Sequence, residues 1–141
     1  MRIVDVMTRN PQPVSPDATL QDAARLMDDL NVGALPVCEG NRLIGILTDR
    51  DIVVRSTSAG HDPKATKVAE AMTTEVHACF LDTSVHEAMG MMESLQIRRV
   101  PVLDGDRRLV GIVSLGDLAT EQPADAADTL EKISQPSRPD R

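Results

Sequence analysis

Two stretches carry residue types that could hold a polar small molecule. They are Gly45-Ile46-Leu47-Thr48-Asp49-Arg50-Asp51 and Gly111-Ile112-Val113-Ser114-Leu115-Gly116-Asp117. In each, an apolar run ends in a hydroxyl residue, Thr48 or Ser114, and an acid follows three positions on, Asp51 or Asp117. This is how a buried strand ends and a helix begins, with the hydroxyl as N-cap and the acid at the N3 position of a capping box. The free N–H groups and partial positive charge of a helix start attract an anion. A carboxylate one turn in can accept two hydrogen bonds from a diol. Hydroxyl, N–H groups and acid together suit the phosphate and ribose of a nucleotide. The same residues would also serve as plain helix caps, worth about 1 kcal/mol each.

The elements that must position these motifs form an internal repeat. Val4-Asp5-Val6-Met7-Thr8 answers Ala69-Glu70-Ala71-Met72-Thr73, and Leu35-Pro36-Val37 answers Val100-Pro101-Val102 at the same offset. One extra residue near Arg108 shifts the register, and Leu43-Ile44-Gly45-Ile46 then answers Leu109-Val110-Gly111-Ile112. The repeats give domains at 4–54 and 68–119 and a tail at 120–141, with a short helix reaching about Ile133 and a disordered end. Each copy alone is too small for a confident independent core, so one folded unit with a shared core and a pseudo-two-fold axis is expected.

Each copy reads as β-α-β-β-α, a mixed α/β (α+β) class. A helical turn at Met7 or Met72 leads into an extended piece, Pro11 to Val14 or Val76 to Phe80. Thr19-Leu20-Gln21-Asp22 and Ser84-Val85-His86-Glu87 open helices as capping boxes. Leu20, Ala23, Ala24, Met27 and Leu30 recur at helical spacing, as do Val85, Ala88, Met89, Met92 and Leu95. Strands follow at Ala34 to Cys38 and Arg99 to Leu103, with turns at Gly40-Asn41 and Asp104-Gly105. The motif then starts a second helix carrying Ile52-Val53-Val54 or Leu118-Ala119, and Ser56 to Thr66 reads as a loop.

Composition bounds the function. The net charge of −7 argues against broad contact with nucleic acid or an anionic membrane. Phe80 is the one aromatic residue, so a bound base must be clamped by aliphatic side chains. No apolar run is long enough to cross a bilayer, and the N-terminus has no leader-like apolar stretch; a cytoplasmic protein is expected. Cys38 and Cys79 are too few for a zinc site or a CxxC motif and read as buried free thiols, with a disulfide as the alternative. His61, His77 and His86 follow no metal-ligand spacing. There is no nucleophile–base pairing and no P-loop, so no enzyme activity is expected.

The x-h-P-V segment followed by G-h-h-[TS]-x-x-D, twice at this separation, resembles a tandem pair of CBS domains, the family named after cystathionine β-synthase. The similarity spans about Val4 to Ala119, and Thr48 to Arg55 resembles the small stand-alone CBS pairs. The resemblance implies two units packed sheet against sheet, clefts between them, and a homodimer formed through the helices. Helix faces such as Ala23-Met27-Leu30 and Ala88-Met92-Leu95 would need that second copy for their burial.

The resemblance also implies a regulatory module that binds an adenosine ligand (AMP, ADP, ATP, NAD or S-adenosylmethionine), requires no cofactor and acts through an effector protein. Thr48 and Ser114 would meet phosphate, and Asp51 and Asp117 the ribose. The family's basic residues before the Pro are Arg98 and Arg99 in the second copy but Gly33 and Ala34 in the first. In the crossed arrangement of the family, Thr48 and Asp51 would face Arg98 and Arg99, and Ser114 and Asp117 would face Gly33 and Ala34. The base would sit among Ile46, Val100 and Pro101, with backbone groups near His77 reading its edge. The alternative is a ligand-free dimerisation or protein-interaction module.

Overall fold

The computed structural model describes residues 1–120 and 123–136. Along the chain run β1 (Thr8–Arg9), α1 (Leu20–Leu30), β2 (Ala34–Glu39), β3 (Arg42–Thr48) and the short α2 (Asp49–Asp51). Then come α3 (Val68–Ala71), β4 (Cys79–Phe80), α4 (Val85–Leu95), β5 (Arg99–Leu103), β6 (Leu109–Ser114), α5 (Leu115–Ala119) and α6 (Pro123–Ile133). They form two compact units. The N-unit is Gln12–Val76; the C-unit is Met1–Pro11 with the described chain from His77 onward. The units therefore exchange the first segments of the sequence repeats at 4–54 and 68–119.

In the C-unit the sheet order is β1-β6-β5-β4. The antiparallel β5–β6 hairpin sets Arg99 opposite Ser114 and Pro101 opposite Ile112, while β4 runs parallel to β5. The chain's own N-terminus completes this unit. Thr8 pairs with Ile112, the Ile3 N–H donates to the Thr83 carbonyl at 2.8 Å, and the Val85 N–H donates to the Met1 carbonyl at 3.0 Å. Ile3, Val85, Ala88, Met92 and Val100 are core residues with no exposed surface or nearly none. Helix α6 lies on α4 and α5. The Thr129 hydroxyl donates to Glu93 at 2.9 Å, and Gln96 Nε2 donates to the carbonyls of Lys132 and Gln135.

The N-unit repeats this plan with thinner edges. Its sheet is the β2–β3 hairpin. Val14 bridges Val37 in parallel on one edge, and Thr73 bridges Ile46 antiparallel on the other, through reciprocal bonds of 2.8 and 2.9 Å. Thr73 thus takes the place in this unit that Thr8 takes in the other. Glycine permits both approaches. A Cβ on Gly45 would meet Met72 Sδ and the Thr73 carbonyl at 2.9 Å; one on Gly111 would strike Met7 and stand 3.0 Å from the Thr8 carbonyl.

Local signals explain the helix ends. The Thr19 hydroxyl accepts from the Asp22 N–H, and Asp22 returns the bond to the Thr19 N–H. Asn31 and Gln96 close α1 and α4 in the left-handed region at φ 55° and 53°. Both helices bury their apolar stripes inside their own units, through Ala23 and Met27 in one and Ala88 and Met92 in the other. That corrects the expectation that these faces need a second copy to be covered. Leu30 alone of the α1 stripe stays 43% exposed. Two further details differ from the sequence reading. The extended piece before α4 is a strand only at Cys79–Phe80. The helix after Thr48 changes after one turn into a π-helical turn over Ile52–Ser56.

Candidate functional site

Both motifs form the caps that their spacing predicts. In the N-unit the Asp51 N–H donates to Thr48 Oγ1 at 3.0 Å, and the Thr48 N–H donates to Asp51 Oδ2 at 3.0 Å. In the C-unit the Asp117 N–H donates to Ser114 Oγ at 3.1 Å, and the Ser114 N–H donates to Asp117 Oδ2 at 2.9 Å. These bonds hold each hydroxyl and each carboxylate at the end of a strand, side by side.

Beyond the cap the two acids differ. Asp51 is buried, 9% exposed. Its Oδ2 also accepts from the Thr73 hydroxyl at 3.5 Å, and the Arg55 guanidinium lies 3.6 Å from Oδ1. Asp117 is half-buried, and among the described residues no cation pairs with it. Arg55 and Thr73 are the site residues that motif reading passes over. Arg55 had a local signal, four residues past an acid on a helix. Thr73 had none, because its contact depends on where the second copy of the Met-Thr turn is placed.

The other candidates fall into place unit by unit. Gly33 and Ala34 lie beside the N-unit motif: the Asp49 N–H donates to the Gly33 carbonyl at 2.9 Å, and Ala34 stands opposite Thr48. Ile46 is half-buried on β3, opposite Pro36. Arg98 and Arg99 lie beside the C-unit motif: the Leu115 N–H donates to the Arg98 carbonyl at 2.8 Å, and Arg99 stands opposite Ser114. Both arginines are exposed, as is His77. Val100 and Pro101 are buried, and Val100 belongs to the C-unit core. Val100 has no exposed surface.

Each unit also has an open depression. The one in the C-unit has a volume of about 520 Å³ and lies between the start of β5, the β6–α5 turn and α6; Arg98, Arg99 and Ser114 line it. The one in the N-unit, about 460 Å³, lies at the hairpin end beside Ser15, Asp17 and Cys38 and touches neither motif. Cys38 and Cys79 are buried free thiols. Burial raises both thiol pKa values, and the nearby Glu87 carboxylate helps push that of Cys79 up to about 11. Thiols held neutral are poor nucleophiles. Among the described residues no group of three or more His, Cys, Asp or Glu could hold a metal ion, and no helix is long and apolar enough to cross a membrane.

A family model for the CBS domain matches residues 3–57 and again 68–124. The chain belongs to the CBS-domain family. A relative from Bacillus subtilis, the CBS domain-containing protein YhcV, is 46% identical over 134 residues, 94% of each chain. The crystal structure of Hypoxic Response Protein I with two coordinated zinc ions matches with a TM-score of 0.78 at 38% identity, over 86% of this chain and 98% of that one. Two further CBS structures hold ligands. CBSX2 in complex with AMP matches at 26% identity and a TM-score of 0.75, over 87% of this chain and 96% of that one. The CBS domain pair of MJ0100, in complex with 5-methylthioadenosine and S-adenosyl-L-methionine, matches at 26% identity and a TM-score of 0.75, over 88% and 97%.

Proposed function

We propose that this CBS pair is a regulatory module that binds an adenosine nucleotide of the AMP type and passes its binding on to a partner protein. The observation that carries the reading is the pair of built motifs, Thr48–Asp51 and Ser114–Asp117, each with a hydroxyl and a carboxylate fixed side by side at a strand end. That chemistry fits phosphate and ribose, and AMP, 5-methylthioadenosine and S-adenosylmethionine occupy related CBS proteins. Arg98 and Arg99 supply the charge-assisted contacts that a phosphate needs. The module works as a cytoplasmic homodimer, sensing cellular energy state and performing no chemistry on its ligand. Light scattering at twice 15.3 kDa checks the assembly.

A thermal-shift panel of AMP, ADP, ATP, NAD and S-adenosylmethionine tests the ligand class. Ligand at 100 times its dissociation constant should add about 2.7 kcal/mol of stability, a shift of several degrees in Tm for a protein this size. A panel that moves nothing at millimolar ligand sinks the nucleotide reading and leaves a protein-interaction module.

A further inference from the structure

Asp51 is the one charged residue among the described residues that are buried. Both of its carboxylate oxygens are engaged. Oδ2 accepts from the Thr48 N–H at 3.0 Å and from the Thr73 hydroxyl at 3.5 Å, and Oδ1 lies 3.6 Å from Arg55 Nε. Asp117 Oδ2 accepts from the Ser114 N–H at 2.9 Å, and among the described residues nothing else bonds or pairs with that carboxylate. The sequence carries the same difference. The register that sets Asp51 against Asp117 sets Arg55 against Glu121, so the first copy has a cation where the second has an acid.

This difference decides how each acid can meet a diol. A carboxylate takes a vicinal diol most directly with one oxygen for each hydroxyl. At Asp117 one oxygen is open to that contact. At Asp51 the incoming hydroxyl finds Oδ1 already facing a guanidinium. Arg55 projects from the π-helical turn Ile52–Ser56, directly after the cap. Its side chain is 38% exposed, against 11% for Asp51, so solvent reaches the cation and not the acid. A separation of 3.6 Å exceeds the roughly 2.7–2.9 Å of a charge-assisted hydrogen bond. The pair is an ion pair that a ligand can displace, and displacing a pair of this exposure weakens binding about two- to fivefold.

We propose that Arg55 is a specificity-determining residue of the Thr48–Asp51 motif: its guanidinium holds the carboxylate oxygen that a ribose diol would take, so this motif fills after Ser114–Asp117. The proposal rests on the nucleotide reading above and adds an order of occupancy to it. A ligand at the first motif must exchange with Arg55, and a ligand at the second meets no such competitor. The two motifs therefore respond over different ranges of ligand concentration.

The test is calorimetry with adenosine, which has the diol and no phosphate, and with AMP. The full chain carries Asp117→Asn, so that the binding read is that of the first motif. Adding Arg55→Gln should tighten adenosine about two- to fivefold. Removing a residue with a purely structural role would weaken binding or leave it alone, so a gain separates the two. Arg55→Lys keeps the charge and should bind as its Asp117→Asn parent does. Salt should act in the same direction. It screens the ion pair, so adenosine affinity should rise with ionic strength while Arg55 is present and stay flat in Arg55→Gln. Adenosine binding that is unchanged or weaker in Arg55→Gln overturns the proposal and leaves the nucleotide reading standing. Binding to the wild-type chain but to neither Asp117→Asn chain does the same. No binding of AMP or adenosine to the wild-type chain removes the nucleotide reading and this role of Arg55 with it.

Discussion

The two motif acids do different work although their sequences are nearly interchangeable. Asp117 is held by its cap and leaves one carboxylate oxygen without a bond among the described residues. Asp51 is more deeply buried and ties three parts of the N-unit together: its cap, the Thr73 edge segment and Arg55 on the π-turn. One motif is therefore an open acceptor, and the other is also a structural knot. A repeated motif preserves its local geometry while the residues around it divide the labour.

The thin edge of the N-unit gives the largest expected effect. Gly45→Val would drive a side chain into the Thr73 carbonyl and Met72 at once. Overpacking of this kind costs about 1–3 kcal/mol, and the loss of the Thr73 bridge adds to it. Urea denaturation should place Gly45→Val at the upper end of that range, with Gly111→Val beside it, because a Cβ there would strike Met7 and the Thr8 carbonyl in the same way. A Gly45→Val chain as stable as wild type would show that the edge segment is not held by this contact.

The acids themselves come next. Asp51→Ala removes the partner of a half-buried N–H, of the Thr73 hydroxyl and of Arg55 and should cost about 2–3 kcal/mol, whereas Asp117→Ala loses chiefly a cap and should cost about 1 kcal/mol. Equal costs would erase the distinction between open acceptor and knot.

The thiols sharpen the comparison at smaller scale. Cys79 in the C-unit has its pKa raised from 9.0 to about 11. As pH rises through 9.0 the unfolded thiol ionises while the folded one keeps its proton, so the unfolded chain binds fewer protons and stability falls toward pH 11. The loss should be on the order of 1 kcal/mol by pH 10, with no effect below pH 8. Cys79→Val should flatten the decline, and a stability curve of the same slope in that variant would assign the decline to other groups.

Much of the local structure was legible in the sequence, because caps and turns depend on residues three or four apart. Thr19 with Asp22, Thr48 with Asp51 and Ser114 with Asp117 all close as their spacing predicts. Gly40 turns its hairpin at φ 63°. The Arg55–Asp51 pair is equally local, an acid and a base four positions apart on a helix. What lay out of reach depends on distant segments. Thr73 meets Asp51 across 22 positions and Thr129 meets Glu93 across 36, and no spacing rule operates at that range.

The sequence by itself determined that the chain is a doubled α/β unit of the CBS family, with two hydroxyl–acid motifs at strand ends. Backbone hydrogen-bond geometry and apolar periodicity act locally and survive in any arrangement of the units. Only the tertiary structure decided that the first segment of each repeat completes the other's sheet, that α6 walls the arginine-lined pocket, and that Asp51 is tied where Asp117 is open. Those outcomes are set by which apolar faces and unpaired strand edges find cover. That is a competition among all segments of the chain at once, and no single segment carries its result.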